Sequence, residues 1–250
     1  MWRSREARFP RCGALFQMRW GLDLGAGTFS MTTATKAYKG MGMEGPVARW
    51  YAKITHKDIA EFQALAKRLA EGLPEGSRLL EVAPGPGYLA IELAKFGKYS
   101  VTGLDVSKTF VELASRHAAE AGVSIDFRQG NAAHMPFGDD SFDLVVCRAA
   151  FKNFSEPVRA LAEMRRVLTS GGRAVIIDLR KDTPRETINA HVDHMGLGAA
   201  SSIMTKLTFR FMLLRRAYTR GDFEEFIAQS GFQPAELREQ PIGFEIWLRK

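Results

Sequence analysis

The run Glu81-Val82-Ala83-Pro84-Gly85-Pro86-Gly87 can do chemistry if a strand leads into it and a helix leads out. Gly85 and Gly87 lack a Cβ, so a ligand can approach the main chain there. A helix opening at Tyr88 would point unpaired N–H groups at a pyrophosphate or at the carboxylate of an amino-acid-like ligand. Asp105 follows Glu81 by 24 residues. At the end of a second strand such an acid accepts hydrogen bonds from both hydroxyls of an adenosine ribose. In the run from Gly130 to Phe137, Asn131 stands among apolar neighbours, a pattern that can read an adenine edge and sandwich its ring. His134, His191 and His194 can move protons. His191 and His194 flank Asp193 at i, i+3, so one helix face would hold both, read as a solvated face with no metal.

These residues need elements to position them. Helical spacing runs over 46–71, with Ile59, Phe62, Leu65 and Leu69 on one face and Gly72 and Pro74 as the stop. Short apolar runs predict strands at 78–83, 100–105, 123–128, 142–147 and 173–179. Helices are predicted between them. One spans 88–96, one spans 108–121 with Ser107 as cap and Gly122 as stop, and one spans 156–168 with Ser155 as cap. Ser170-Gly171-Gly172 reads as a turn. A helical stretch follows over 184–217, then a helix over 222–230 and two strands at 235–239 and 243–249 joined as a hairpin. Strands apolar on both faces and alternating with helices predict an α/β fold. The expected sheet is doubly wound and mostly parallel, with helices on both faces, an antiparallel last edge strand and helical lid and cap elements.

The chain has 250 residues, 46% apolar and 25% charged, which excludes disorder as the main state. No run approaches the roughly 18 apolar residues of a membrane span. Two cysteines, Cys12 and Cys147, exclude a disulfide-stapled fold and point to a reducing, cytoplasmic setting. The net charge of +7 is uneven: residues 1–30 carry Arg3, Arg5, Arg8, Arg11 and Arg19 against Glu6 and Asp23. There are no dense basic runs with interleaved aromatics, so no nucleic-acid partner is expected. The head, 1–30, lacks any period and is expected to be a poorly ordered basic extension. A targeting segment and an upstream extension of the frame, with folding from Met31 or Met43, are its alternatives. The Leu22-Asp-Leu-Gly-Ala-Gly27 run inside it is taken as a coincidental glycine motif.

The ordered set of motifs resembles the class I S-adenosylmethionine-dependent methyltransferases, in particular the small-molecule branch similar to ubiquinone/menaquinone-biosynthesis methyltransferases. It rests on Leu-Leu-Glu-Val-Ala-Pro-Gly-Pro-Gly at 79–87, Gly-Leu-Asp-Val-Ser at 103–107, Met-Pro-Phe-Gly-Asp-Asp-Ser-Phe-Asp-Leu-Val-Val at 135–146 and Glu-Met-Arg-Arg-Val-Leu-Thr-Ser-Gly-Gly-Arg at 163–173. The resemblance implies S-adenosylmethionine as cofactor. Glu81 would reach the ammonium of its amino-acid end, lined by Ala83, Gly85, Pro86 and Gly87. Asp105 would hold the ribose, and Val106, Asn131 and Ala132 the adenine. Arg148 and Ala149 would face the methionine part and the acceptor. Two departures stand out: Ala83 replaces the first motif glycine, and Asn131 replaces the commoner acid.

The implied division is a lid of helices over 31–75 and a cofactor domain over 76–250 with a helical cap insertion near 184–218. Tyr38, Trp50 and Tyr51 of the lid and the Met-, Leu- and Phe-rich cap would build an apolar acceptor site for a small molecule. Tyr51, His191 and His194 are the catalytic candidates. Cys147-Arg148-Ala149-Ala150 stands where amino-methylating relatives carry an Asn-Pro-Pro-Tyr type motif, which favours an O-, C- or S-acceptor. A non-catalytic protein of the same fold is one alternative. A nicotinamide-dependent oxidoreductase is the other, disfavoured because Tyr88-Leu89-Ala90 follows Gly87 where a third glycine would be needed.

Overall fold

The computed structural model describes residues 37–39, 42–56 and 59–250. The basic head and its glycine motif lie outside the described residues. In chain order the elements are α1 (Gly45–Thr55), α2 (Ile59–Ala70), β1 (Arg78–Val82), α3 (Tyr88–Ala94), β2 (Ser100–Asp105), α4 (Lys108–Glu120), β3 (Asp126–Gln129), β4 (Phe142–Arg148), α5 (Pro157–Val167), β5 (Leu168–Leu179), α6 (Arg185–His194), α7 (Ala199–Thr208), α8 (Leu214–Arg216), α9 (Arg220–Ser230), β6 (Gln233–Glu239) and β7 (Gly243–Arg249). The strands form one sheet in the order β3-β2-β1-β4-β5-β7-β6. β1 to β5 pair in parallel, and β7 runs antiparallel between β5 and the outer strand β6.

Side-chain alternation explains why both faces are apolar. Leu79, Leu144, Val146 and Val175 pack with Phe62, Leu65 and Leu69 of α2 and with Leu89 and Leu93 of α3. Their neighbours Leu80, Val145, Cys147 and Ile176 point the other way, onto Leu161 and Met164 of α5 and Phe223 and Ile227 of α9. The order reverses about β1 and β4, so a crevice opens at the carboxyl ends of these two strands.

Several boundaries differ from expectation. The stretch 46–71 is two helices, α1 and α2. The third strand begins at Asp126, because Val123 closes α4 with its N–H on the Ala118 carbonyl. Ser155 does not cap α5: Glu156 holds that position without a side-chain bond, and the Ser155 hydroxyl is buried with no partner. Ser170-Gly171-Gly172 lies within β5, where a register shift against β4 absorbs the extra residues and Gly171 takes φ +78°. The cap is broken at Gly196, whose φ of +63° ends α6, and its Phe209–Leu213 segment winds as a π-helix.

Candidate functional site

The carboxyl ends of β1 and β2 meet at one bend. Gly85 donates its N–H to Oδ2 of Asp105 at 3.0 Å, and Ser107 donates to Oδ1 at 2.9 Å. Three N–H groups, with that of Val106, act on the carboxyl, which still leaves acceptor capacity for a ligand. Burial pushes the Asp105 carboxyl up to about 6, although those N–H groups favour its charge. Glu81, buried one strand over, is pushed further, to about 8, by burial that outweighs the N–H of Ala90 and the charge of Arg148. Its Oε2 has no hydrogen-bond partner. An unsatisfied polar oxygen in the interior is costly, and a cation placed beside it would favour the ionised form that burial disfavours.

The bend is held open by backbone geometry. Ala83, Gly85 and Gly87 take φ of +57°, +55° and +82°. For Ala83 the left-handed region costs about 1–2 kcal/mol, held by its N–H bond to the Leu104 carbonyl at 2.7 Å. A Cβ on Gly87 would lie 2.8 Å from that of Ala114, so the turn closes only with glycine. A Cβ on Gly85 would meet nothing nearer than Cε1 of Tyr51 at 4.0 Å. The space beside Gly85 is therefore open, with Tyr51 as its roof. Pro86 is buried, its carbonyl 2.9 Å from Nδ1 of His117.

Helix α1 is tied across this bend by polar bonds as well as packing. Glu44 accepts from the N–H groups of Lys108 and Thr109 at 3.0 and 3.1 Å, capping α4 from outside. Ser107 donates its hydroxyl to the Met43 carbonyl at 2.7 Å, and its own Oγ caps Phe110. Tyr88 donates to the Ala52 carbonyl at 3.0 Å, and Tyr51 meets Phe110 edge-on. The N-terminal helix is thereby anchored within two residues of Asp105.

The remaining expected residues divide. Val106 is exposed beside Asp105, a free apolar surface. Asn131 uses its amide oxygen on the Ala133 N–H at 3.0 Å, which leaves its NH2 as the free donor; Ala132 packs on the core beside it. Arg148 lies over the Phe62 ring at 4.5 Å and reaches Glu61 at 3.2 Å, so its head is drawn toward α2 while its charge still acts on Glu81. His134 is exposed. His191 and His194 are exposed on α6, where His191 touches Phe209 and His194 the Ala190 carbonyl. No metal-holding group of three or more ligands occurs among the described residues.

Two polar units escaped the sequence. Lys152 and Asp178 form a buried pair at 2.9 Å beyond β4 and at the end of β5. Lys152 Nζ also donates to the carbonyl of Ala149, and its N–H to Asp178 Oδ2 at 2.8 Å. Ala149 is thus fixed at φ +58°, exposed at the end of β4. The signal in Asp178 was legible, an acid ending an apolar strand like Asp105; Lys152 sits between aromatics and gave none. The second unit joins Lys39 Nζ to the Tyr218 hydroxyl against Phe151. Burial pushes the Tyr218 phenol up to about 12. Cys147 is buried near Lys152 and Asp178, and burial pushes its thiol up, as for a structural cysteine.

Comparison with known proteins agrees with this fold. Residues 80–176 match a family model described as a methyltransferase domain. A ubiquinone/menaquinone biosynthesis C-methyltransferase from Geotalea daltonii is 32% identical over 164 residues, covering 64% of this chain and 68% of that protein. A demethylmenaquinone methyltransferase from Deinococcus radiodurans is 41% identical over 102 residues, 40% of this chain, and the chain spans only 42% of that relative's length. The crystal structure of an S-adenosylmethionine-dependent methyltransferase from Aquifex aeolicus superposes with a TM-score of 0.61 at 18% identity, over 80% of this chain and 95% of that one, which establishes the fold.

Proposed function

This chain belongs to the class I S-adenosylmethionine-dependent methyltransferases, and from that premise we propose that it methylates a small apolar or aromatic metabolite. The observation that carries the proposal is the buried Glu81 carboxyl, whose Oε2 has no partner in the protein and stands beside the open backbone of Gly85. The ammonium of an amino-acid end answers it, and the residues present fit that group.

S-adenosylmethionine supplies an electrophilic methyl on a sulfonium, so the protein supplies position and electrostatics. In this proposal Glu81 ionises against the ammonium while the Gly85 and Gly87 backbone lines the amino-acid end. Asp105 accepts from the ribose hydroxyls with its remaining lone pairs. Val106 and Ala132 offer apolar surface to the adenine, and the Asn131 NH2 donates to a ring nitrogen. Tyr51 roofs the bend and, with α1 tied to α4, acts as a lid that excludes water. Aligning the acceptor atom with the methyl contributes about 7–11 kcal/mol without any universal catalytic side chain. Ala149, and Lys39 with Tyr218, face the acceptor side. The name of the Geotalea relative, a C-methyltransferase, favours a carbon acceptor. Tyr51, His191 and His194 remain the candidates for moving a proton, and Tyr51 alone of the three touches the bend.

Titration calorimetry with S-adenosylmethionine tests the pocket. Asp105→Ala is expected to weaken binding about 10- to 150-fold, the worth of a hydrogen bond to a charged group. Unchanged affinity would refute the assignment. Release of S-adenosylhomocysteine in the presence of phenolic, quinol and thiol acceptors tests the transfer, and the same titration with NADH tests the oxidoreductase alternative.

A further inference from the structure

From Ala199 to Arg216 the chain is helical, yet none of these residues is buried. Ile203, Met204, Leu207 and Phe211 recur at one-face spacing, and they are 61%, 65%, 44% and 47% exposed. Such a contiguous apolar stripe signals a surface that meets something apolar. Its charge says what. Between His194 and Asp222 the sequence holds Lys206, Arg210, Arg215, Arg216 and Arg220 and no acid. Lys206 is paired with Asp193 and Arg220 with Glu224. Among the described residues no carboxylate pairs with Arg210, Arg215 or Arg216. The guanidinium groups of Arg210 and Arg215 flank the Phe211 ring at 5.1 and 5.8 Å, so an apolar anchor is rimmed by unneutralised cations.

We propose that this face docks on the headgroup region of an anionic lipid bilayer, with Ile203, Met204, Leu207 and Phe211 entering the acyl boundary and Arg210, Arg215 and Arg216 on the phosphates. Charge complementarity selects this occupant. A second copy of the face would set like charges against each other, and residues 1–30 of the chain itself are net positive. The docking is peripheral: among the described residues no helix is long and apolar enough to cross a membrane. It does not depend on which acceptor is methylated.

The test is cosedimentation of the full chain with vesicles of phosphatidylcholine, with and without phosphatidylglycerol. The protein pellets with the phosphatidylglycerol vesicles and not with phosphatidylcholine alone, and added salt releases it. Arg210→Ala with Arg215→Ala lowers the partition by about 25-fold, near five-fold per cation. Leu207→Asp with Phe211→Asp lowers it by at least about ten-fold. These side chains are unburied, so both variants keep the wild-type melting temperature and S-adenosylmethionine affinity, which separates loss of docking from loss of the cofactor site. Absence of wild-type pelleting with phosphatidylglycerol overturns the proposal, as does pelleting of both variants like the wild type. Self-association in light scattering that Leu207→Asp abolishes, without vesicle binding, reassigns the face to a second copy.

Discussion

At the carboxyl ends of β1, β2, β4 and β5, four ionisable side chains are buried: Glu81, Asp105, Lys152 and Asp178. Across α7 and α8, no side chain is buried at all, though Ile, Met, Leu and Phe abound there. The two regions invert the ordinary arrangement of apolar groups inside and charge outside. In the first the fold holds charge against a desolvation cost, which preorganises a pocket. In the second it leaves apolar area in water, which prepares a surface. The first should therefore respond to substitution through stability and ligand affinity together, and the second through association alone.

The sharpest test of that contrast is Lys152→Met. It strands Asp178 in the interior, and breaking a buried pair from one side costs about 3–5 kcal/mol. Urea unfolding at neutral pH measures it. A cost below about 1 kcal/mol would mean that the strand ends are wet and that the contrast is false.

Glu81→Gln probes a buried carboxyl that, unlike Asp178, forms no ion pair with a protein cation. Its native pKa of about 8 lies above the usual carboxylate value of 4.5. As pH rises through this window the unfolded chain loses its proton first, so the native state is fully favoured below 4.5 and loses stability as pH climbs to about 8. Glu81→Gln should leave unfolding unchanged at acid pH, stabilise the protein by on the order of a few kcal/mol above pH 8, and weaken S-adenosylmethionine binding. Melting temperature against pH shows the first two effects. In the wild type near pH 7, binding the cofactor should expel a proton from Glu81, seen as a calorimetric heat that varies with buffer ionisation enthalpy. A variant destabilised at every pH would show that Glu81 is a structural group.

The same division governs what could be read from the sequence. The strand ends were legible because a parallel sheet fixes where each βα turn emerges: Glu81, the glycine bend and Asp105 are a linear text whose geometry the sheet imposes. Bonds between distant segments were not. Nothing near Glu44 announces that it caps a helix 64 residues later, and nothing near Lys152 points to Asp178. The cap was legible only in part. Its period was visible, but periodicity reports that one face is apolar without reporting what covers that face. The expectation that it closes over a small-molecule acceptor therefore had no support in spacing, and Gly196 was passed over as a break.

Within the bend, two glycines separate space from conformation. Gly87→Ala adds a Cβ at 2.8 Å from Ala114 as well as a strained φ, and should cost about 2–4 kcal/mol. Gly85→Ala meets open space, so only the left-handed backbone penalises it, by about 1–2 kcal/mol. Its larger effect should be on S-adenosylmethionine affinity, since the new methyl would occupy the ligand's approach. Denaturant unfolding beside calorimetry resolves the pair. Equal losses of stability would mean that Gly85 is a packed position and the opening beside it does not exist.

The smallest effect belongs to the cap. Replacing Ile203 and Met204 by Gln removes two exposed apolar side chains and buries nothing new. The transfer energy at stake scales with area taken out of water, which here is small on folding. Gln is a helix former comparable to Met, so local propensity changes little. The net change in unfolding free energy should stay within about 0.5 kcal/mol, the range of ordinary surface substitutions. A loss of 2 kcal/mol or more would mean that these side chains are covered in the folded monomer. The cap would then be a packed layer like α2, and its apolar stripe would need no partner.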